Sequence, residues 1–354
     1  PRFNNKLKLM NKAPKKVYVV DNGFVQSTAF NLSENLGRLL ENQVFVELLR
    51  RGYIHCRTKG SHFSMRNPNN PFIITVIPNT TNDLGKDLLN GGSSVLLGDT
   101  VNYDYLDTTT YKVVVDLTST SNQAIVYNGS TASTSDIDQL VDIENINGSI
   151  NDDTMTGNSS NNSLIGNSGN DLFYGSEGID IIDGGTGTYI DITNYSTLNQ
   201  RIILTTNDNG STSNTYTITK NSLKTDTLTN IEEIIGTSYD DQMTGAGLSD
   251  TFRSGDGNDT LEGKSGNDTL EGGIGDDVYK VTSYDDGDDL ITDSSGSDSI
   301  DYSAIIDNTY HLEINLSATS VTVVSNTLVA GKAEIKNSTG VIQQTDTLSG
   351  IEHI

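Results

Sequence analysis

Residues 236–280 read GTSYDDQMT GAGLSDTFR SGDGNDTLE GKSGNDTLE GGIGDDVYK, which are five consecutive units of nine residues. The first residue of a unit is glycine except at Ser254, and the sixth is always aspartate. The eighth residue is large and apolar in every unit: Met243, Phe252, Leu261, Leu270 and Tyr279. Such regularity indicates a structure built from one small unit stacked many times.

A weaker copy of the pattern lies in residues 148–192, which divide into GSINDDTMT GNSSNNSLI GNSGNDLFY GSEGIDIID GGTGTYIDI. Glycine opens every one of these units. The sixth position reads Asp153, Asn162, Asp171, Asp180 and Tyr189. This run has therefore kept its glycines and lost part of its aspartates.

The residue types predict the shape of one unit. Six residues rich in glycine and asparagine form a turn whose backbone passes through positive φ without strain. The next three form a short strand whose middle, apolar residue points inward. Two units complete one coil, so the predicted fold class is mainly β: a parallel β-roll or β-solenoid of nonapeptide repeats with interspersed β segments, preceded by a small α/β fragment.

The sixth-position aspartates stack in this arrangement, because units n and n+2 lie above one another on the same edge. Carboxylates separated by about 4.8 Å repel unless a cation lies between them. Neither run contains His or Cys, so the available ligands are carboxylates and peptide carbonyls. Hard oxygen ligands with flexible geometry favour Ca²⁺ over zinc, copper and Mg²⁺.

The repeats resemble the RTX (haemolysin-type calcium-binding) nonapeptide family, whose motif is G-G-x-G-x-D-x-U-x. The resemblance covers about residues 95–354 and implies Ca²⁺ as the cofactor. It implies metal ligation by Asp241, Asp250, Asp259, Asp268, Asp277, Asp153, Asp171 and Asp180. It also implies turn geometry and carbonyl ligands from Gly255, Gly257, Gly266, Gly273 and Gly275.

The family's stacking implies specific carboxylate pairs. In the main run they are Asp241 with Asp259, Asp259 with Asp277, and Asp250 with Asp268. In the weaker run only Asp153 with Asp171 is intact. Asp180 is expected to face Asn162 on one side and to have no following partner.

The segments between the runs repeat as well. LVDIENINGSINDDTMTG (140–157) matches LTNIEEIIGTSYDDQMTG (228–245), and LSGIEHI (348–354) begins the phrase again. A tyrosine-led β segment lies ahead of each phrase, at Tyr103, Tyr195 and Tyr302. We expect these segments to be wider β coils or hairpins. The Ile-Glu pairs Ile143-Glu144, Ile231-Glu232 and Ile351-Glu352 are expected to mark the return to the roll, with a structural glutamate.

Residues 1–66 differ from the rest in charge. They hold 12 of the 22 basic residues and 4 acids, a charge of +8, whereas residues 67–354 carry 10 − 43 = −33. A strand at 16–20, a helix from Ser33 to Arg51 and a strand at 53–57 are predicted. The phrases KVYVVDNG (16–23) and ENLGRLLENQVFVELLRRGY (34–53) resemble the DUF4143 domain of prokaryotic AAA-type ATPases.

That domain is similar to restriction-endonuclease-like folds, in which Glu41 would be the helix carboxylate. The strand carboxylates needed to hold Mg²⁺ are absent, since the expected next hairpin, from Thr58 onward, contains no acidic residue until Asp83. We therefore expect residues 1–66 to be an incomplete or misjoined fragment without a nuclease site.

Composition excludes several classes of protein. The formal net charge of −25 argues against nucleic acid or an anionic membrane as a partner of the repeat region. No apolar run is long enough to span a bilayer. The single cysteine, Cys56, excludes an internal disulfide framework and a multi-cysteine zinc site. GKS at 263–265 lacks the first P-loop glycine, and no HExxH zinc motif occurs.

The predicted organisation has seven parts. They are a basic α/β fragment (1–66), a linker (67–100), a β segment (101–147), the weaker run (148–192), a β segment (193–235), the main calcium-binding run (236–303) and a β segment (304–354) truncated before a further run. Because the chain starts at Pro1 and stops within a repeated phrase, we expect a fragment of a longer protein.

Three functions remain open. The favoured one is a calcium-binding, non-catalytic, adhesin-like region of a larger secreted bacterial protein. It would fold on Ca²⁺ outside the cell after type I export, as the family resemblance implies, and contact cell-surface or extracellular ligands. The second is the calcium-binding secretion tail of an extracellular hydrolase whose catalytic domain is missing. The third is an ATPase-associated nucleic-acid protein acting through residues 1–58.

Overall fold

The structure is a computed structural model that describes residues 99–305 except 105, 107–109, 120–123, 130, 207–214, 221–223 and 284–285. The strands outside this range are also described, and so are residues 350 and 351. For the strands before residue 91 and those within 310–328 only the backbone is described. The predicted helix from Ser33 to Arg51 lies outside the described residues, as does the resemblance to DUF4143 in residues 1–53.

The described residues contain β-strands and no helix, as predicted for a mainly β fold. The strands are β1 Ile54–Lys59, β2 His62–Arg66, β3 Thr75–Ile77, β4 Leu88–Asn90, β5 Thr100–Asn102, β6 Tyr111–Asp116, β7 Ala124–Asn128, β8 Thr131–Val141, β9 Asn145–Asn147, β10 Thr154–Thr156, β11 Ser163–Ile165, β12 Leu172–Tyr174, β13 Ile181–Asp183, β14 Ile192–Asn194, β15 Ile202–Thr206, β16 Thr215–Lys220, β17 Lys224–Thr229, β18 Glu233–Ile235, β19 Gln242–Thr244, β20 Thr251–Asp256, β21 Thr260–Glu262, β22 Thr269–Ile274, β23 Val278–Lys280, β24 Leu290–Thr292, β25 Ser299–Asp301, β26 Tyr310–Asn315, β27 Val321–Val323, β28 Asn326–Leu328, β29 Lys332–Asn337 and β30 Ile342–Ser349.

The chain forms two compact units, 1–149 and 150–354. In the first unit, β1, β2 and β3 form an antiparallel sheet. β6, β7 and β8 form an antiparallel meander, and β8 also pairs with β4 in parallel. β5 pairs in parallel with β9.

Two largely parallel sheets build the second unit. The first sheet has the order β26-β29-β30-β24-β22-β20-β18-β14-β12-β10, and the second has β25-β23-β21-β19-β15-β16-β17-β13-β11. Consecutive repeats alternate between the sheets, so Thr251 pairs with Thr269 and Thr260 with Val278, 18 residues apart. This is the β-roll that the nine-residue period predicts.

The middle residue of each short repeat strand is buried. In the main run these are the five eighth-position residues Met243, Phe252, Leu261, Leu270 and Tyr279, each at most 1% exposed. In the weaker run Met155, Leu164, Phe173 and Ile182 occupy the same place. Each coil therefore adds two apolar side chains to a narrow core, and burial of each side chain stabilises the coil by about 1.5–3 kcal/mol.

The segments between the runs are antiparallel excursions from the parallel coils. β15, β16 and β17 form one three-stranded meander, and β26, β29 and β30 form another. The last strand of each meander returns to parallel pairing, β17 with β13 and β30 with β24. The expectation of wider coils or hairpins is thus realised as hairpins.

A buried tyrosine ties the start of each excursion to its returning strand. Tyr195 donates a hydrogen bond from its hydroxyl to Asp226 Oδ2 at 2.8 Å, and Tyr302 donates to Asp346 Oδ2 at 2.7 Å. In the first unit the Tyr103 hydroxyl donates to Asp138 Oδ2 at 3.2 Å in the same way. Burial, reinforced by the aspartate, raises the pKa of Tyr195 well above its usual value, so its hydroxyl remains a donor.

Replacing Tyr195 by phenylalanine is expected to destabilise the calcium-loaded protein by about 1–3 kcal/mol, because Asp226 Oδ2 would be left buried without its donor. Urea unfolding followed by circular dichroism measures the change. Tyr239→Phe is the matched control, since Tyr239 is 43% exposed and should tolerate the change within about 0.5 kcal/mol. Equal midpoints for the two variants would contradict a structural role for the Tyr–Asp contact.

Candidate metal centre

The sixth-position aspartates connect successive coils through their own backbone. Asp241 donates its N–H to Asp259 Oδ1 at 2.7 Å, and Asp259 donates in the same way to Asp277 Oδ1 at 2.7 Å. On the other edge Asp250 N–H donates to Asp268 Oδ1 at 2.8 Å. In the weaker run Asp153 N–H donates to Asp171 Oδ1 at 2.7 Å. The structure thus brings together every pair that the repeat spacing implied.

These contacts extend into two columns of acidic residues, each directly before the paired part of a strand. The first column, along the first sheet, contains Asp153, Asp171, Asp191, Glu232, Asp250, Asp268, Asp289 and Asp346. The second column, along the second sheet, contains Asn162, Asp180 and Asp226, and then Asp241, Asp259, Asp277 and Asp298. Several members lie outside the nonapeptide frame.

The sequence predictions missed Asp191, Asp226, Asp289, Asp298 and Asp346. Their spacing from the preceding member is 20, 46, 21, 21 and 57 residues, where the repeat requires 18. The available signal was local, since each aspartate is followed two residues later by a buried side chain in a strand. A search for that short pattern without a fixed period would have found them.

One expectation about the weaker run is wrong. Asp180 does have a following partner, because its N–H donates to Asp226 Oδ1 at 2.8 Å once the β15–β17 excursion returns. The fifth unit also departs from the repeat, since its sixth residue, Tyr189, does not lie in the column. Tyr189 is 42% exposed, and Asp191 takes the position by accepting the N–H of Asp171 at 2.8 Å.

The Ile-Glu phrases also contribute to these contacts. Glu232 Oε2 accepts the N–H of Asp191 at 2.9 Å. In the first unit Glu144 Oε2 accepts the N–H of Asp99 at 2.7 Å. Both glutamates therefore serve as backbone acceptors at the return from an excursion. Glu352 lies outside the described residues.

The second carboxylate oxygen separates two kinds of column aspartate. In the first kind Oδ2 is buried, and no described group donates a hydrogen bond to it: Asp171, Asp259, Asp268 and Asp277. In the second kind protein donors reach the carboxylate. Asp241 Oδ2 accepts from Thr237 N–H at 2.7 Å, and Asp250 accepts from Ala246 N–H at 2.8 Å and from the Tyr216 hydroxyl.

Burial makes the unsatisfied carboxylates weak acids. It raises the pKa of Asp171 to about 8, with a further contribution from the charges of Asp153 and Asp191. It raises the pKa of Asp268 to about 7 and that of Asp259 to about 6. Backbone donors oppose the shift in each case without cancelling it. In their ionised form, these buried groups require a compensating positive charge.

Glycine at the first position leaves room beside these oxygens. A Cβ on Gly166 would collide with Asp171 Oδ2 and lie 2.6 Å from the Gly184 carbonyl oxygen. A Cβ on Gly263 would collide with Asp268 Oδ2. The space beside a first-position glycine is therefore lined by an unsatisfied carboxylate oxygen and by peptide carbonyl oxygens.

The five turn glycines named from the motif all have positive φ: Gly255, Gly257, Gly266, Gly273 and Gly275. At Gly275 the reason is twofold. Its φ is +143°, and a Cβ would overlap the Gly257 carbonyl oxygen of the coil below. The turns thus stack with backbone against backbone.

One end of the second column gathers three carboxylates. Asp277, Asp293 and Asp298 offer oxygens within 4.8 Å of one another. Asp293 stands where the repeat has its first-position glycine, and its Oδ2 accepts from the Tyr279 hydroxyl at 2.6 Å. It was not among the predicted ligands, since it replaces a glycine of the motif.

The donor set fits a hard divalent cation. Every candidate ligand is a carboxylate or carbonyl oxygen, four of the carboxylates hold a buried unsatisfied oxygen, and glycines leave the space beside them. Flexible, oxygen-only sites of this kind suit Ca²⁺. No membrane-spanning helix candidate occurs among the residues that the structure describes.

Comparison with known proteins identifies the repeats. The family described as RTX calcium-binding nonapeptide repeat (4 copies) matches residues 147–182, 229–261 and 244–279. The match does not reach residues 1–58, so it lends no support to the DUF4143 resemblance there. No curated protein matches the chain.

Solved structures similar to this chain include that of the extracellular lipase LipA from Serratia marcescens. The two are 17% identical with a TM-score of 0.22, over 59% of this chain and 38% of the lipase chain. The chain thus spans well under half of that protein's length. The stacked units in residues 147–182 and 229–279 are RTX calcium-binding nonapeptide repeats, and the cation they bind is Ca²⁺.

Proposed function

We propose that this chain is the calcium-folded, non-catalytic part of a larger secreted bacterial protein, adhesin-like in role and assembled outside the cell. The observation that carries the proposal is the set of buried, unsatisfied oxygens on Asp171, Asp259, Asp268 and Asp277. A domain that is complete only with several bound cations folds where those cations are abundant. Extracellular Ca²⁺ is abundant and cytosolic Ca²⁺ is not.

The sixth-position aspartates and turn glycines named above would hold Ca²⁺, with Asp293 as an additional carboxylate in the site of Asp277. When bound, Ca²⁺ supplies the positive charge that the columns lack. The chain supplies the rest: Oδ1 of each aspartate holds the preceding coil, and the apolar core closes as the coils stack. Because metal binding requires the folded columns, its free energy becomes folding free energy.

A calcium titration of the full chain tests the proposal, with far-UV circular dichroism as the readout and Mg²⁺ as the control. We expect little β signal in chelator, a cooperative gain of β signal with rising Ca²⁺, and no equivalent gain with Mg²⁺. A chain that is already folded in chelator would contradict metal-coupled folding. Supernatant of a culture expressing the native gene, probed with antibody, tests export.

A further inference from the structure

A lysine lies inside the second column, whose other members are aspartates except for Asn162. Lys220, the last residue of β16, is completely buried. Its Nζ lies 2.6 Å from Asp226 Oδ1 and 3.6 Å from Asp180 Oδ2, and it donates a hydrogen bond to the carbonyl oxygen of Ser176. The ammonium group thus lies among three oxygens, two of them within hydrogen-bond distance and the third at ion-pair distance.

The position of Lys220 within the column is specific. Asp180 and Asp226 are consecutive members, linked by the Asp180 N–H. The meander β15–β17 leaves the coil between them, and its middle strand delivers Lys220 back to the gap. The lysine therefore reaches the column through an excursion and not through the repeat itself.

At this step the protein satisfies both carboxylates. Asp226 Oδ1 accepts from Asp180 N–H and Lys220 Nζ, and its Oδ2 accepts from Tyr195. Asp180 Oδ2 accepts from the Ser176 hydroxyl at 2.7 Å. By contrast, Oδ2 of Asp259 has no described donor although Asp259 is equally buried.

We infer that Lys220 is a built-in cation that takes the place of calcium between Asp180 and Asp226. The inference rests on the proposed calcium-coupled folding, since it assigns one step of the column as independent of the metal. Removing one partner of a buried ion pair strongly destabilises the folded protein, because the other charge is then left buried and uncompensated. Lys220 consequently holds the β13–β17 pairing at Ca²⁺ concentrations too low to fill the main run.

Hydrogen exchange of the full chain, in chelator and in Ca²⁺, tests this assignment for the unmodified protein. In chelator we expect the amides of β13 and β17 to exchange at least tenfold more slowly than those of β19, β21 and β23. In Ca²⁺ both sets are expected to be protected. Equal exchange of the two sets in chelator, with protection in Ca²⁺, overturns the lysine assignment alone. Full protection of both sets in chelator overturns the proposed function instead.

The variant Lys220→Met sharpens the test. We expect exchange of β13 and β17 in chelator to accelerate by about 100-fold, and Ca²⁺ to restore protection with one additional ion bound by equilibrium dialysis. Lys224→Met is the matched control, because Lys224 donates to the Glu177 carbonyl and has no described ion pair. Unchanged exchange in chelator, or protection that Ca²⁺ restores without an additional bound ion, overturns the assignment. If the variant does not fold in either condition, the unmodified protein decides.

Discussion

Replacing Asp259 by alanine is expected to raise the Ca²⁺ concentration at the midpoint of folding by at least about tenfold. Asp259 lies in the middle of the second column, is 1% exposed and joins two coils. Its Oδ1 accepts from Asp241 N–H, and its own N–H donates to Asp277. Alanine removes the unsatisfied Oδ2 that Ca²⁺ would contact and the acceptor for Asp241. A lost charge-assisted hydrogen bond alone costs about 1.5–3 kcal/mol.

The matched control is Asp256→Ala in the same repeat. Asp256 is exposed, and its replacement by alanine removes the same charge as the replacement of Asp259. The general charge repulsion within this acidic chain therefore falls equally in both variants. Titrations of the full chain by circular dichroism should show the control within about twofold of the unmodified protein. If the two variants have the same midpoint, net charge and not the column governs folding.

Metal-free protein is expected to gain β structure as the pH falls from 8 to 5. Burial raises the pKa of Asp171 and of Asp289 to about 8 and that of Asp268 to about 7, above the ordinary aspartate value of about 3.9. The folded state therefore binds more protons than the unfolded state throughout this window. Stability accordingly falls as pH rises from about 4 to about 8, and acid partly substitutes for calcium.

Far-UV circular dichroism of the calcium-stripped protein at pH 5, 6, 7 and 8 measures this gain of β structure. Ca²⁺ binding should show the opposite slope, because protons compete with the metal for the same oxygens. A metal-free β signal that is independent of pH, or one that grows toward pH 8, would contradict the burial of ionisable carboxylates in the columns.

The variant Asp171→Asn distinguishes the effect of a buried column carboxylate on stability from the effect of the overall negative charge. Asn162 already occupies a column position as a neutral amide, accepting Asn158 N–H at 2.7 Å. The asparagine should therefore raise metal-free stability at pH 8 and flatten its pH dependence. Asp256→Asn, which removes an exposed charge, should change the slope far less.

The repeat strands and the stacked aspartates could be predicted from the sequence because both depend on local geometry. A period of nine, with glycine first, aspartate sixth and an apolar residue eighth, specifies a turn, a strand and the inward residue. Stacking two coils apart then follows from the strand spacing. Asp259 and Asp277 were for this reason paired correctly although they are 18 residues apart.

The members beyond the regular frame could not be predicted in the same way. Asp191 and Asp298 follow coils lengthened by two or three residues, and Asp226 and Asp346 follow whole excursions. A fixed period loses its register at the first insertion. Backbone pairing restores that register, because the returning strand must form hydrogen bonds with the unpaired N–H and C=O groups at the edge of the preceding coil.

The sequence by itself therefore determined the roll, its inward residues and the need for an oxygen-bound cation, since all three arise from residue types within 18 positions. The tertiary structure alone decided which carboxylates retain an unsatisfied oxygen and which receive a protein donor. Tyr195 and Lys220 reach Asp226 from 31 and 6 residues away through an antiparallel meander. Whether a buried carboxylate needs a bound cation depends on the charged and hydrogen-bonding groups that packing brings within a few ångströms of it. The repeat period does not specify those groups.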